Sequence, residues 1–191
     1  MLREKLLFTV IQSLKILDAK LLGEIYYKQG LYNSVHSGRT NAQKHLNRLH
    51  SEGKLERIGK YYRVKGCRSE GGDHSLKLSE ALTEILKITG IQPVIFRETK
   101  TPLNLIPDAM VLLIKDGKGL SFILEVANEE TDNYLQSKVN DWRAWRAAKE
   151  YLSDLFKYQI PHFDIVVKGD YVPDGCYPFA SYLKEVICGM V

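Results

Sequence analysis

Two carboxylates, Asp108 and Glu125, flank an apolar stretch near the middle of this 191-residue chain. Met110-Val111-Leu112-Leu113-Ile114 and Leu120-Ser121-Phe122-Ile123-Leu124 read as two strands, and Asp116-Gly117 between them is a strong hairpin signal. A type I′ turn needs positive φ at both central residues, which Asp-Gly supplies. That turn puts Asp108 directly across from Glu125, close enough for one small cation to touch both. A turn shifted to Gly117-Lys118 leaves the two acids on one face as diagonal neighbours. Only an odd-length loop would separate them.

Both faces of the hairpin are rich in apolar residues, so the sheet is expected to be covered on both sides. Acids inside such a sheet are costly unless something pairs with them. A metal ion, a nearby Lys or Arg, or water at the strand ends could do so. The plainer alternative is that Asp108 starts its strand in solvent and Glu125 ends its strand near a helix N-terminus.

The chain is long enough for one large domain or two small ones. At 45% hydrophobic and 26% charged it has an ordinary globular composition. No apolar run is long enough to span a bilayer, and Met1-Leu2-Arg3-Glu4-Lys5 leads into a helical pattern, not a signal peptide. Cys67, Cys176 and Cys188 are odd in number and lack metal-ligand spacing. They are read as free thiols of a reducing cytoplasm, with no zinc site and no membrane partner. The net charge of +4 hides an asymmetry. Residues 1–70 hold 14 Lys and Arg against 6 Asp and Glu, a net +8, while residues 71–191 carry a net −4. A basic module beside a mildly acidic one suggests that the first meets nucleic acid. The alternative is a positive surface kept for solubility.

The elements of the basic module follow from spacing. Leu6, Leu7, Val10, Ile11, Leu14 and Leu17 predict a helix over Leu2 to Leu17. Asp18 is a candidate N-cap for a second helix through Tyr27. A third helix begins near Ser37-Gly38-Arg39-Thr40, buries Ala42, Leu46 and Leu49, and ends at Gly53. Lys54–Ile58 and Tyr61–Val64, joined by Gly59-Lys60, predict a short hairpin.

Three helices followed by a basic hairpin resemble the winged helix-turn-helix family over about the first 65 residues. The resemblance implies DNA binding through Arg39, Asn41, Lys44, His45 and Arg48 of the third helix and Arg57, Lys60 and Arg63 of the wing. Arg39, Asn41 and Lys44 sit early in that helix, where base-edge contacts are commonest, whereas the wing residues suit phosphate contacts. His45 and His50 also read as surface or helix-packing residues. Winged helices serve as protein-interaction modules too; a copy this basic is expected to bind DNA.

Residues 66–73 are polar and glycine-rich, and are read as a linker between a domain at 1–65 and one at 74–191. The second domain reads as a helix from His74 to Thr89, a strand at Pro93–Glu98, the Asp108–Val126 hairpin, one long helix from Asn128 or Thr131 to about Phe156, a strand at His162–Val167 and a helix from Tyr177 to Met190. Trp142 and Trp145 fall on the long helix's apolar stripe and are expected to pack against the sheet. The expected class is therefore α/β (α+β), with a mixed central sheet in the second domain.

The order α-β-β-β-α-β-α is similar to the core of the PD-(D/E)XK nuclease superfamily. With the first module it also resembles the replication-relaxation family of plasmid and mobile-element proteins, on His74-Ser75-Leu76, Pro107-Asp108-Ala109, Leu124-Glu125-Val126 and Lys138. The nuclease resemblance implies Mg²⁺ or Mn²⁺ held by Asp108 and Glu125, with Glu80, Glu84 or Glu98 as a third ligand. The nuclease pattern places Lys two residues after the Glu, and here that residue is Ala127. Lys138 on the next helix is the candidate relocated lysine. Equally, it is the partner of Glu125 or Asp108 in a structural ion pair. The expected protein binds DNA for replication, relaxation or transfer of a plasmid or other mobile element. A metal-dependent endonuclease, and a repressor or antitoxin whose second domain holds a protein partner, stay open as alternatives, as does a homodimer.

Overall fold

The computed structural model describes residues 2–66, 73–127 and 132–190, with side chains over 6–66, 73–127 and 132–185. Residues 67–72 of the expected linker, Cys67, the side chain of Cys188 and the expected helix start at Asn128 or Thr131 lie outside the described residues. The fold is mixed α+β with seven helices and two sheets among the described residues, one sheet of three strands and one of five. No described helix is long and apolar enough to cross a membrane. The chain divides into two compact units, Met1–Thr89 and Gly90–Val191.

The first unit opens with α1 (Leu2–Leu14) and β1 (Ile16–Leu17). The sequence places Leu17 on the first helix, but Lys15 takes a left-handed φ of 57° and ends it. Ile16 and Leu17 then enter a strand, fully buried, and Leu17 mimics helical periodicity only by its spacing from Leu14. Asp18 caps α2 (Ala19–Lys28), its Oδ1 accepting from the N–H groups of Lys20 and Leu21 at 2.9 Å. The next helix, α3 (Val35–Ser51), starts earlier than its apolar pattern indicates, because Ser34 Oγ accepts from Ser37 N at 3.1 Å. Val35 and His36 are exposed and carry no periodic signal. Gly53, at φ +70°, closes it through a bond from its N–H to His50 O.

Two glycines let α2 and α3 meet. A Cβ on Gly38 would stand 2.6 Å from Gly23 O, and one on Gly23 would stand 2.6 Å from Arg39 Cα. The strands β2 (Leu55–Ile58) and β3 (Tyr61–Val64) form a hairpin that β1 extends, in the order β1-β3-β2.

The helix α4 (Asp73–Leu86) belongs to this unit, not to the second domain where the sequence places it. Ser79 Oγ donates to Leu14 O at 3.0 Å, and Gln29 Nε2 donates to Leu86 O at 2.8 Å. Lys87 joins Glu24 at 3.3 Å. Leu78, Leu82, Ile85 and Leu86 are buried. Glycine-rich composition suggests a boundary, but it does not say which unit the next helix packs on.

The second unit is a mixed sheet with helices on it. β4 (Gln92–Arg97), β5 (Ala109–Lys115) and β6 (Lys118–Val126) run antiparallel, and β7 (Phe163–Lys168) and β8 (Tyr177–Pro178) continue parallel to β6. The single long helix expected up to Phe156 is two, α5 (Asp132–Ala144) and α6 (Ala148–Phe156). Ala144 to Ala148 contains good helix formers and no local breaker. The bend instead lets Trp145 meet both Trp142 (5.7 Å) and Tyr151 (5.1 Å). Trp142 is fully buried against Met110, Leu112 and Ile123 of the sheet, as the apolar stripe predicts. The last helix, α7 (Phe179–Met190), starts two residues later than expected, since Tyr177 and Pro178 pair with Val166 and Val167. It covers the opposite face, with Phe122 and Tyr182 edge to face at 5.2 Å. Both faces of the hairpin strands are thus covered.

Candidate functional site

The β5–β6 turn has the register its sequence dictates. Asp116 and Gly117 both take positive φ, 49° and 77°, and pairing runs from Lys115↔Lys118 to Ala109↔Leu124. Asp108, one residue before β5, therefore faces Glu125. The two acids cross-brace the strand ends. Val126 N donates to Asp108 Oδ2 at 2.6 Å, and Asp108 N donates to Glu125 Oε2 at 3.4 Å. Asp108 is 9% exposed and Glu125 1%.

Lys138 reaches this pair from the second turn of α5. Its Nζ lies 2.6 Å from Glu125 Oε2. It precedes buried Val139 on the helix, so its stem runs along the apolar face and its ammonium meets the acid at the rim. Burial pushes the Glu125 carboxyl up to about 8; the negative charge of Asp108 adds to the rise, and Lys138 offsets only part of it. Glu125 Oε1 is buried and has no hydrogen-bond partner among the described residues. A carboxyl with one oxygen on an ammonium and one oxygen free can hold a proton, or it can turn the free oxygen to a cation.

The other expected ligands have their own settings, and Glu98 N donates to Asp108 O at 3.0 Å. Glu80 and Glu84 lie on α4 of the first unit, and Glu84 is held by Lys87 at 2.6 Å. Glu98 leans on the buried Arg97 at 3.6 Å. No group of three His, Cys, Asp or Glu among the described residues is arranged to hold a metal. Ala127 packs its Cβ against Gly169, where an added Cβ would come within 2.5 Å. Burial also raises the Cys176 thiol, with Arg143 countering and Glu125 adding.

The exposed cations of the first unit form the second candidate set. Arg39, Lys44 and Arg48 are exposed on α3, and Arg57 and Lys60 are exposed on the β2–β3 hairpin. Arg48 has a 3.8 Å contact to Glu52, and Lys60 sits over the Tyr61 ring at 5.0 Å. The remaining expected residues are engaged inside the fold. Asn41 Nδ2 donates to Ser37 O at 2.9 Å, and His45 Nδ1 shares a 2.8 Å hydrogen bond with the Tyr26 hydroxyl. Arg63 grips Glu56 through Nη2 at 2.6 Å. His50 Nδ1 lies 3.0 Å from Leu55 O and serves the turn after α3.

One constellation escapes sequence reasoning. The buried Tyr62 hydroxyl donates to Asn47 Oδ1 at 2.5 Å, and Gln43 Nε2 donates to Tyr62 Oη at 2.7 Å. This triangle ties α3 to β3. The i, i+4 spacing of Gln43 and Asn47 hints at a pair, but Tyr62 joins it only once the hairpin has folded back. No protein-family model, no curated protein and no solved structure matches this chain.

Proposed function

We propose that the chain is a DNA-binding protein of a plasmid or other mobile element, acting in replication, relaxation or transfer. One observation carries this reading: Arg39, Lys44 and Arg48 on α3 and Arg57 and Lys60 on the hairpin are all exposed, within residues 1–70, which carry a net +8. Helices α1 to α3 followed by a basic hairpin fit a winged helix. On this reading α3 enters the major groove, with Lys44 and Arg48 also reaching phosphates, and the hairpin grips the backbone beside it. Asn41, His45 and Arg63 hold the module's shape. Retardation of duplex DNA by the purified protein, weakened in Lys44→Ala with Arg48→Ala, is the expected result. Binding indifferent to both changes would sink the proposal.

A second reading, a metal-dependent endonuclease, is favoured by the convergence of Asp108, Glu125 and Lys138. Asp108 and the free Oε1 of Glu125 would hold Mg²⁺ or Mn²⁺, which when bound supplies an acidified water and a clamp on phosphate oxygen. Lys138 would hold the Glu125 carboxylate in place and lend positive charge beside the phosphate. Supercoiled plasmid incubated with Mn²⁺ separates the readings. Nicking lost in Glu125→Ala makes the protein a nuclease; an intact plasmid limits the acids to bracing the strands.

A further inference from the structure

Leu103, Ile106 and Tyr134 are 54%, 47% and 55% exposed. They rim two adjoining recesses between the 99–107 loop and α5, of about 460 Å³ and 230 Å³, which share Leu105 and Asp141. Exposed apolar side chains scattered singly are ordinary; a cluster around a recess marks a contact surface.

The display of these side chains is built into the loop. Thr101, 3% exposed, closes it with three bonds: Thr101 N donates to Leu105 O at 2.9 Å, Asn104 N to Thr101 O at 3.0 Å, and Leu105 N to Thr101 Oγ1 at 3.1 Å. Asn104 takes φ 60° to complete the turn. Leu105 is thereby drawn in while Leu103 and Ile106 are held out.

The surface carries a projection and a hollow side by side. It also carries opposite charges side by side. Asp141 and Arg146 both line the larger recess and are exposed, and neither has an ion pair among the described residues. A surface with knob, hole, acid and base together is complementary to itself across a two-fold axis.

We infer that this groove is a homodimer contact, in which Leu103 of each copy enters the recess beside Trp145 of the other and Asp141 meets the partner's Arg146. Lys138 and Arg146 would also suit a nucleic-acid strand, but the apolar knob and the acid beside a base favour a second copy. The smaller recess is lined by Lys138, so the second copy closes the rim beside Glu125.

Sedimentation of the full chain is the test. The wild-type protein should sediment at twice its 21.9 kDa mass. Leu103→Asp should raise the dimer Kd at least about 30-fold, the size of a hot-spot loss, with unchanged circular dichroism because the residue is exposed. Asp141→Arg and Arg146→Asp should each weaken the dimer, and the two together should restore it. A wild-type monomer, or a dimer indifferent to Leu103→Asp and to the charge reversals, overturns the inference. So does a monomer whose Leu103→Asp variant loses DNA affinity, which would give the groove to nucleic acid. Since Lys44 and Arg48 lie on the other unit, failure here leaves the DNA-binding reading untouched.

Discussion

Glu125 is where burial, charge and proton chemistry meet. Its carboxyl is raised from 4.5 to about 8 in the folded chain, chiefly by desolvation. A raised carboxyl favours the folded state most when protonated, so its contribution is complete below pH 4.5 and is lost as pH climbs toward 8. Thermal unfolding followed from pH 5 to pH 8 should show a fall in stability that Glu125→Gln flattens. Lys138→Met should sharpen the dependence. At pH 9 it leaves a buried carboxylate without its cation, a loss of about 3–5 kcal/mol; at pH 5 the same change meets a protonated Glu125 and costs much less. A divalent ion bound at Oε1 would have to displace that proton, so binding should strengthen with pH and release protons into a weakly buffered solution. An affinity flat between pH 6 and pH 9 would contradict it.

The facing of Asp108 and Glu125 was legible because Asp116-Gly117 leaves the hairpin so little freedom. At the element scale, legibility tracks how local the cause is. Asp18 and Gly53 act on their own neighbours, and both could be read directly. Ile16 and Leu17 could not, because their spacing suits a helix and only pairing with Tyr62 and Arg63 makes them a strand. The break at Ala144–Ala148 carries no Pro or Gly, and the contacts of Trp145 with Trp142 and Tyr151 there are not foretold by the spacing of one continuous apolar stripe. The Gly23–Gly38 contact is an element-scale device with a measurable consequence. Gly38→Ala drives a Cβ against backbone, and should destabilise the first unit by about 1–3 kcal/mol in urea titration. A neutral or stabilising result would mean that α2 and α3 can part without loss.

At the scale of the whole chain, the two compact units divide at Thr89 and Gly90, whereas the sequence suggests a boundary at the linker. That stretch is glycine-rich, but α4 beyond it bonds to Leu14 and receives Gln29. A fragment ending at residue 89 should unfold cooperatively. One ending at residue 66 should not, because it loses four buried aliphatic side chains, each contributing about 1.5–3 kcal/mol, from a domain whose net stability is only about 5–15 kcal/mol. Charge also belongs to this scale: the net +8 of residues 1–70 was readable by counting, but which cations stay exposed was not. Folding commits Arg63 to Glu56 and leaves Lys44 and Arg57 in solvent.

The central claim is that those exposed cations contact phosphates. Its most direct test is the salt dependence of duplex affinity for the wild-type chain beside Lys44→Ala with Arg48→Ala. The account predicts a linear fall of log K with log salt, and a slope shallower by about 2 in the double variant. A wild-type slope near zero, or one the double variant leaves unchanged, would contradict it.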